Sequence, residues 1–260
     1  MNAGSSPRAP RADLDQREIE FFARYYAEQT YHPTGARLKL ERDFRLLRRA
    51  AGAKGLGRVL SIGCGDGAFE RMLAPHSERV VALDISPEAI EIATRLARNE
   101  GASNLEFRSL PIAALEWDEP FDTIASVAFL HHVPEAELPE LLQRIHAHLA
   151  PGGLFYSQDP NVHGILRRIG RLVLGSSYDA YHSPDERELD ADELRQQLLA
   201  AGFASVEILP IDLTLLPATY ILAKKPGWPL YACAALDRLW CAAPFGRWAS
   251  GFAALSRRAG

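Results

Sequence analysis

A glycine-rich turn followed by a single carboxylate is the part of the sequence best suited to chemistry. Gly63, Gly65 and Gly67 alternate directly after the apolar run 58–62. Because glycine has no Cβ, such a turn lets the backbone approach a ligand closely and adopt a positive φ. Asp84 ends the next apolar run, where a carboxylate can accept hydrogen bonds from both hydroxyls of a ribose. Together they predict a site for a ribose-containing ligand.

Short β-rich runs alternate with helical runs from Arg58 onward, and this order predicts the frame that positions the turn. The helix predicted over 87–99 has Ser86 as its N-cap and Gly101 beyond its end. Repeated βα units favour right-handed crossovers and therefore a doubly wound, mostly parallel sheet with helices on both faces. Further helices are predicted over 135–149 and 190–201, and strands over 58–62, 79–83, 105–108, 123–127, 154–158, 205–209 and near 252–256.

Composition and pattern divide the chain into three parts. Residues 1–13 are rich in Gly, Ser, Pro and Arg and are predicted to be a disordered lead-in. Residues 14–50 are predicted to be helical, with Pro33 and Gly35 separating two helices. Residues 51–260 are predicted to form one α/β domain.

With these features in order, the chain resembles the class I S-adenosylmethionine-dependent methyltransferases. The resemblance runs from about Arg58 to Gln158. It includes the run 121–133, which is similar to the family's fourth strand and following loop, and 149–155, which is similar to its turn into strand five. It implies an α/β, Rossmann-like fold with seven strands, the last one antiparallel. It also implies S-adenosylmethionine as cofactor, S-adenosylhomocysteine as product, and no metal.

The resemblance also implies that the N-terminal helical region 14–50 forms a lid over the site, and it implies roles for individual residues. The glycine turn would line the methionine and ribose parts of the cofactor, Asp84 would hold the ribose, and Ile85 would pack on the adenine. Ser109 and Leu110 fall where the family contacts the adenine edge. The residues implied to bind the cofactor, including one in the loop after strand four, are Gly63, Cys64, Gly65, Gly67, Asp84, Ile85, Ser109, Leu110 and Ala128.

Two serines stand where the family often has carboxylates. At the positions of Ser61 and Ser109, acidic residues help to hold the methionine amine and the adenine amino group. A hydroxyl accepts a hydrogen bond but brings no charge. Either the affinity for the cofactor is lower, or Asp66 supplies a charge instead.

Methyl transfer from a sulfonium is an in-line displacement, so the enzyme mainly aligns donor and acceptor and removes a proton where the acceptor requires it. His131 and His132 follow strand four at the carboxyl edge of the sheet, and imidazole titrates near neutral pH. Either is a candidate base, and the alternative is that both are structural. The candidates for contacting the acceptor are Tyr26, Asp159, Tyr178, Tyr181 and His182. For the tyrosines, the alternative is that they simply pack against neighbouring residues.

The βα order is interrupted at 159–187 and at 212–248, and insertions of this kind select substrates on a shared scaffold. The first insertion predicts an amphipathic helix over 162–174, and the second carries tryptophans beside cations. Both features suit a membrane interface. The hypothesis is a hydrophobic mouth for a lipid-linked or otherwise apolar acceptor, with peripheral membrane contact. The alternative is an ordinary lid whose apolar face packs on the domain. The residues predicted on that helical face are Ile165, Leu166, Ile169, Leu172 and Val173.

Charge and cysteine content limit the partners and the compartment. Proteins that bind nucleic acid usually carry a net positive charge, whereas the formal net charge here is −4. Nucleic acid is therefore disfavoured as a partner. Three cysteines without the spacing of a zinc or redox site favour the cytoplasm. No apolar run approaches the roughly 20 residues that span a bilayer. Composition does not predict an oligomeric state.

The prediction is therefore an enzyme that methylates a small, apolar or lipid-linked acceptor, with oxygen as the expected acceptor atom. An NAD(P)-dependent oxidoreductase shares the strand, turn and acid, but it favours a third glycine at the position of Ala68. A non-catalytic module that binds S-adenosylmethionine is the other alternative, because the two serines depart from the family pattern.

Overall fold

The computed structural model describes residues 17, 20, 33–114, 119–174, 186–222, 227–242 and 244–260. The predicted lead-in 1–13 and the predicted acceptor contacts Tyr26, Tyr178, Tyr181 and His182 lie outside the described residues.

One seven-stranded sheet carries the fold, in the order β3-β2-β1-β4-β5-β7-β6. Strands β1 to β5 pair in parallel, and β7 runs antiparallel to both β5 and β6. The predicted mostly parallel sheet with an antiparallel last strand is confirmed. The strands are β1 Arg58–Ile62, β2 Arg79–Asp84, β3 Leu105–Ser109, β4 Phe121–Val127, β5 Leu149–Pro160, β6 Ser205–Ile211 and β7 Gly251–Arg257.

The helices cover both faces of the sheet because apolar side chains alternate along the strands. On one face, Leu60 and Ile124 pack with the buried residues of α4 and α6. On the other, Val59 and Tyr156 pack with α1 and α2. The described helices are α1 Pro33–Ala51, α2 Ala68–Leu73, α3 Pro87–Asn99, α4 Leu138–His148, α5 Ile165–Leu174, α6 Ala191–Ala200, α7 Leu215–Ile221 and α8 Trp228–Trp240.

Several predicted boundaries differ from the structure, and three of the differences concern α1, α4 and β5. Gly35 does not separate two helices, because it lies within α1, where a Cβ would collide with the side chain of Thr219 on α7. Helix α4 starts at Leu138 rather than at residue 135, since the amides of Glu137 and Leu138 close a turn on the Pro134 carbonyl. Strand β5 extends beyond the predicted 154–158 at both ends.

A buried ion network fixes α1 to the sheet. Arg42 of α1 donates to Asp43 and, at 2.5 Å, to Asp212 just after β6. Tyr156 of β5 donates its hydroxyl to Asp43 at 2.9 Å. Burial raises the pKa of Asp43, which the adjacent guanidinium opposes. Arg42 is therefore the cation on which two buried carboxylates depend. A role for residues 14–50 as a lid stays a prediction.

Replacing that cation should destabilise the fold. We expect Arg42→Met to lower the free energy of unfolding by about 3 kcal/mol or more, because it leaves two buried carboxylates without their partner. Urea unfolding measures the change. The matched control is Arg37→Met on the same helix, whose side chain is exposed and pairs with Glu41, and it should cost less than about 1 kcal/mol. Equal losses in the two variants would contradict this view of the network.

Candidate active site

The glycine turn connects β1 to α2 in a conformation that other residues rarely adopt. Gly63, Gly65 and Gly67 have φ values of 71°, 54° and 72°. A Cβ on Gly63 would lie 2.5 Å from the Phe129 ring, and one on Gly67 would lie 2.5 Å from the Phe107 ring. The turn therefore needs glycine both for its backbone and for its packing, and it presents backbone rather than side chains to the edge of the sheet.

Asp84 lies beside this turn at the carboxyl end of β2. Its Oδ2 accepts a hydrogen bond from the Gly65 amide at 2.8 Å, and its Oδ1 accepts one from the Ser86 amide at 2.9 Å. Burial raises the pKa of Asp84, which these backbone donors oppose. Each carboxylate oxygen has a second lone pair, so the group retains capacity for ribose hydroxyls.

The residues predicted along the adenine edge lie next to Asp84. Ser109 is paired with Asp84 in the register of β2 and β3, and the Leu110 amide donates to the Asp84 carbonyl at 3.0 Å. Ile85 follows directly and is half-buried. Cys64, within the turn, is buried, and burial raises the pKa of its thiol well above the usual value. The structure thus places these predicted residues around one edge of the sheet.

The loop after β4 closes the site from the other side. Ala128 has a φ of 55°, which is unusual for a residue with a Cβ, and its amide donates to the Gln158 carbonyl at 2.8 Å. Backbone strain of this kind concentrates at functional sites. The next residue, Phe129, is the one whose ring lies against Gly63. The conformation of Ala128 therefore brings this loop onto the glycine turn.

A histidine and a buried aspartate follow at the ends of β4 and β5. Asp159 is completely buried, and its Oδ1 accepts from the His131 amide at 3.2 Å and contacts His131 Nδ1 at 3.0 Å. Burial raises the pKa of Asp159 well above its usual range, and backbone donors at Leu130 and His131 oppose the rise. The predicted base His131 and the predicted acceptor contact Asp159 therefore form one hydrogen-bonded pair.

His132 occupies a different environment. Its ring lies 4.1 Å from that of His131, centroid to centroid, and the residue is half-buried. It is near enough to Asp84 to affect the pKa of that carboxyl. The two adjacent histidines thus differ in position: His131 is held by Asp159, and His132 lies towards the ribose end of the site.

Sequence reasoning missed two carboxylates. Glu70 of α2 is buried and accepts a hydrogen bond from Ser61 Oγ at 2.5 Å. Glu186, in the first insertion, lies 4.0 Å from His131 Nε2. The signal for Glu70 was present in the sequence, because a serine in an otherwise apolar buried strand requires a polar partner. Glu186 gave no such signal, since its position depends on how the insertion folds back.

The sheet order with an antiparallel β7 between β5 and β6, together with the glycine turn and Asp84 at the carboxyl edge, matches the class I S-adenosylmethionine-dependent methyltransferase fold. The site suits that cofactor, because the glycine turn presents backbone to the edge of the sheet and the carboxylate beside it has lone pairs left for ribose hydroxyls.

Comparison with known families agrees with this class. Residues 34–208 match the family model described as "Methyltransferase domain", and the chain belongs to this family. The fold class, the enzyme class and S-adenosylmethionine as cofactor were predicted correctly. Membership of a methyltransferase family also decides against the oxidoreductase alternative.

Curated relatives share part of the sequence. The chain is 28% identical over 231 residues to a ubiquinone biosynthesis O-methyltransferase of Bordetella bronchiseptica, covering 81% of this chain and 92% of the relative. It is 35% identical over 148 residues to a ubiquinone biosynthesis O-methyltransferase of Xylella fastidiosa, covering 55% of this chain and 57% of the relative.

Solved structures share the fold. The N-methyltransferase NodS of Bradyrhizobium japonicum, in complex with S-adenosylhomocysteine, superimposes with a TM-score of 0.61 at 18% identity, covering 93% of this chain and 98% of NodS. The 1,6-didemethyltoxoflavin-N1-methyltransferase of Burkholderia thailandensis gives a TM-score of 0.64 at 18% identity, covering 99% of this chain and 94% of that one.

Calorimetric titration with S-adenosylhomocysteine tests the assignment of Asp84. We expect Asp84→Asn to weaken binding by about 10-fold to 100-fold, because a charge-assisted hydrogen bond to ribose is lost. NAD should bind neither protein. The matched control is Asp122→Asn, a carboxylate at the amino end of β4 that accepts from the Arg58 amide. A loss of the same size in the control would show that Asp84 has no specific role.

Proposed function

We propose that the chain is an O-methyltransferase whose acceptor is apolar, and that the enzyme meets this acceptor at the surface of a membrane. The names of the relatives support oxygen as the acceptor atom, because they describe O-methylation in the biosynthesis of ubiquinone, an apolar quinone. The observation that carries the rest of the proposal is the orientation of α5.

Helix α5 buries Arg167 against the protein and exposes several apolar side chains, while Arg168 and Arg171 stay exposed. The Arg167 side chain is only 10% exposed and pairs with Glu186 and Glu188. On the other side of the helix, Ile169 is 48% exposed and Leu172 is 85% exposed. A surface helix of a soluble domain normally has the opposite arrangement. The orientation favours insertion into a membrane interface over an ordinary lid.

The exposed side chains of α5 continue onto neighbouring segments. The amide and side chain of Asn161, before α5, donate to Ser250 and Ala249, which follow the short 3-10 helix Pro244–Trp248. Gly246 of that helix packs against the end of α8. We propose that these segments present one surface, which we call the apolar face, whose exposed side chains are Ile165, Ile169, Leu172, Leu239, Trp240, Phe245 and Trp248.

Cations accompany the apolar face. The Arg247 guanidinium lies over the Trp248 ring, 4.4 Å from its centroid, and Arg168 is exposed on α5. Aromatic rings beside cations are typical of proteins at a lipid headgroup layer. No described helix is long and apolar enough to cross a membrane. We therefore propose peripheral attachment to an anionic surface.

Side-chain contacts connect the apolar face to the candidate base. Asp159 holds His131, His131 Nε2 lies 4.0 Å from Glu186 Oε1, and the same Glu186 oxygen lies 3.4 Å from Arg167 of α5. These contacts between the side chains of Asp159, His131, Glu186 and Arg167 run from the end of β5 to α5, the helix of the apolar face. It supports an acceptor that enters from the membrane side and places its hydroxyl near His131.

The proposed mechanism assigns separate tasks to these residues. The bound cofactor supplies a methyl group on a positively charged sulfur. The glycine turn and Asp84 hold the nucleoside, and the loop at Ala128 and Phe129 closes against the turn. His131 takes the proton of the acceptor hydroxyl, and Asp159 is a positioning residue that fixes the imidazole ring by accepting from Nδ1–H. Removal of this proton makes the acceptor oxygen a stronger nucleophile and therefore favours its methylation.

Substitution of His131 tests the proposed base. We expect His131→Gln to lower kcat by about 100-fold or more with an unchanged affinity for S-adenosylhomocysteine, because general base catalysis is typically worth 10²- to 10⁴-fold. Asp159→Asn should reduce kcat less, since it leaves the base in place but weakens its orientation. Turnover of an apolar hydroxyl acceptor and calorimetry with S-adenosylhomocysteine provide the two measurements.

His132→Gln is the control for this experiment. The neighbouring imidazole contacts the same ring but lies towards Asp84, so its loss should affect cofactor affinity more than kcat. A large fall of kcat in His132→Gln together with normal turnover in His131→Gln would reverse the assignment.

Co-sedimentation with vesicles tests the membrane contact. We expect the protein to bind vesicles that contain phosphatidylglycerol and to bind pure phosphatidylcholine vesicles more weakly. The double variant Ile169→Asp with Leu172→Asp should lower the partition coefficient by about tenfold or more, because apolar burial worth roughly 1.4 kcal/mol is lost.

A variant outside the apolar face provides the comparison. Leu199 on α6 is also a large exposed apolar residue, so Leu199→Asp makes the same chemical change elsewhere. It should leave the partition coefficient within about twofold of the original protein. If the original protein does not sediment with anionic vesicles, or if both variants lose binding equally, the membrane proposal fails.

A further inference from the structure

A buried carboxylate beneath the glycine turn has no assigned role. Glu70, in the first turn of α2, is 2% exposed. Its Oε1 accepts from Ser61 Oγ at 2.5 Å, and its Oε2 is buried and has no hydrogen-bond partner within the described part of the chain. An unsatisfied buried polar atom usually costs about 1–3 kcal/mol. A ligand group that contacts Oε2 would remove this cost.

The position of Glu70 indicates which ligand would satisfy it. Ser61 is two residues before Gly63, so the carboxyl group lies at the end of β1 where the glycine turn begins. Titratable groups near enough to interact electrostatically with it are Cys64, Asp66 and Asp84, and the two aspartates add further negative charge. This environment attracts a cation. S-adenosylmethionine is cationic, and the ammonium group of its methionine part requires a counter-charge.

We propose that Glu70 supplies the negative charge that holds the ammonium group of the cofactor's methionine part, in place of a carboxylate at position 61. Ser61 serves to hold Glu70 Oε1, so the carboxylate comes from the helix instead of the strand. Asp66 is less suited, because it is half-exposed and its Oδ1 accepts from the Ala68 amide at 3.1 Å. The inference depends on the cofactor and is independent of the proposed acceptor.

Two ligands that differ only at the amino-acid end test this inference. S-adenosylhomocysteine carries the ammonium group, whereas 5′-methylthioadenosine has the same nucleoside thioether without it. We expect Glu70→Gln to weaken the binding of S-adenosylhomocysteine by about tenfold or more. The affinity for 5′-methylthioadenosine should stay within about twofold of its original value. Calorimetry measures both affinities. Binding of 5′-methylthioadenosine also shows that the variant is folded.

Asp122→Asn, at the opposite end of the sheet, is the matched control and should change neither affinity by more than about twofold. Asp66→Asn tests the other carboxylate near the turn. A selective loss of affinity for S-adenosylhomocysteine in Asp66→Asn would overturn the inference. An equal loss of affinity for both ligands in Glu70→Gln would also overturn it. If neither ligand binds the unaltered protein, the cofactor assignment itself has failed, which is a different result.

Exchange of the two side chains provides a second test, which remains informative if Glu70→Gln does not fold. The double variant Ser61→Asp with Glu70→Ser returns the carboxylate to the strand and the hydroxyl to the helix. It should retain the preference for S-adenosylhomocysteine over 5′-methylthioadenosine to within about threefold. A preference lost in a folded exchange variant would contradict the proposed role.

Proton release gives an independent readout. Burial raises the pKa of Glu70 to about 7, so near neutral pH the free protein carries this carboxyl partly protonated. A bound ammonium favours the ionised form, so binding releases a proton and the affinity for S-adenosylhomocysteine increases as the pH rises through about 7. Titrations in buffers of different ionisation enthalpy should detect this release in the original protein. If Glu70→Gln releases as many protons, Glu70 is not the group.

Discussion

The hydrogen bonds that fasten the glycine turn to the end of β2 are the constraint on which the site depends. The amides of Gly63 and Cys64 both donate to the Leu83 carbonyl, and the Gly65 amide donates to Asp84. These bonds force the chain to reverse sharply at the edge of the sheet, and glycine adopts the required positive φ without the strain that a Cβ would cause. They also bring Asp84, the carboxylate predicted to bind ribose, to the turn.

Burial of both faces of the sheet leaves its carboxyl edge as the place for polar chemistry. The strands are filled with apolar residues towards α4 and α6 on one side and towards α1 and α2 on the other. Asp84 and Asp159 therefore lie at strand ends, where backbone amides can stabilise them despite raised pKa values. The same confinement brings the predicted cofactor site and the candidate base within one loop of each other, because His131 comes only three residues after Ala128.

Sequence periodicity was sufficient for the frame and insufficient for the contacts between distant segments. Alternating β and α runs predicted all seven strands, and the N-cap at Ser86 is confirmed by its hydrogen bond to the Ala89 amide. The pairing of Ser61 with Glu70 follows from packing of α2 under the turn, and periodicity carries no information on it. The orientation of α5 was also undetermined, since the amphipathic pattern is identical whether the apolar side faces the domain or solvent. Glu186 and Glu188 decide it by binding Arg167.

The position of these two glutamates explains how an outward apolar helix is stable on a folded domain. Ion pairs of Arg167 and Arg171 with Glu188, and of Arg167 with Glu186, hold the polar side of α5 against the protein. The exposed apolar side chains of α5 can therefore stabilise contact with another surface. Because Glu186 also faces His131, a shift of α5 on meeting a membrane would alter the surroundings of the proposed base. Attachment to the membrane and removal of the acceptor's proton would then be coupled through Glu186. The acceptor would be methylated while it is still in the membrane.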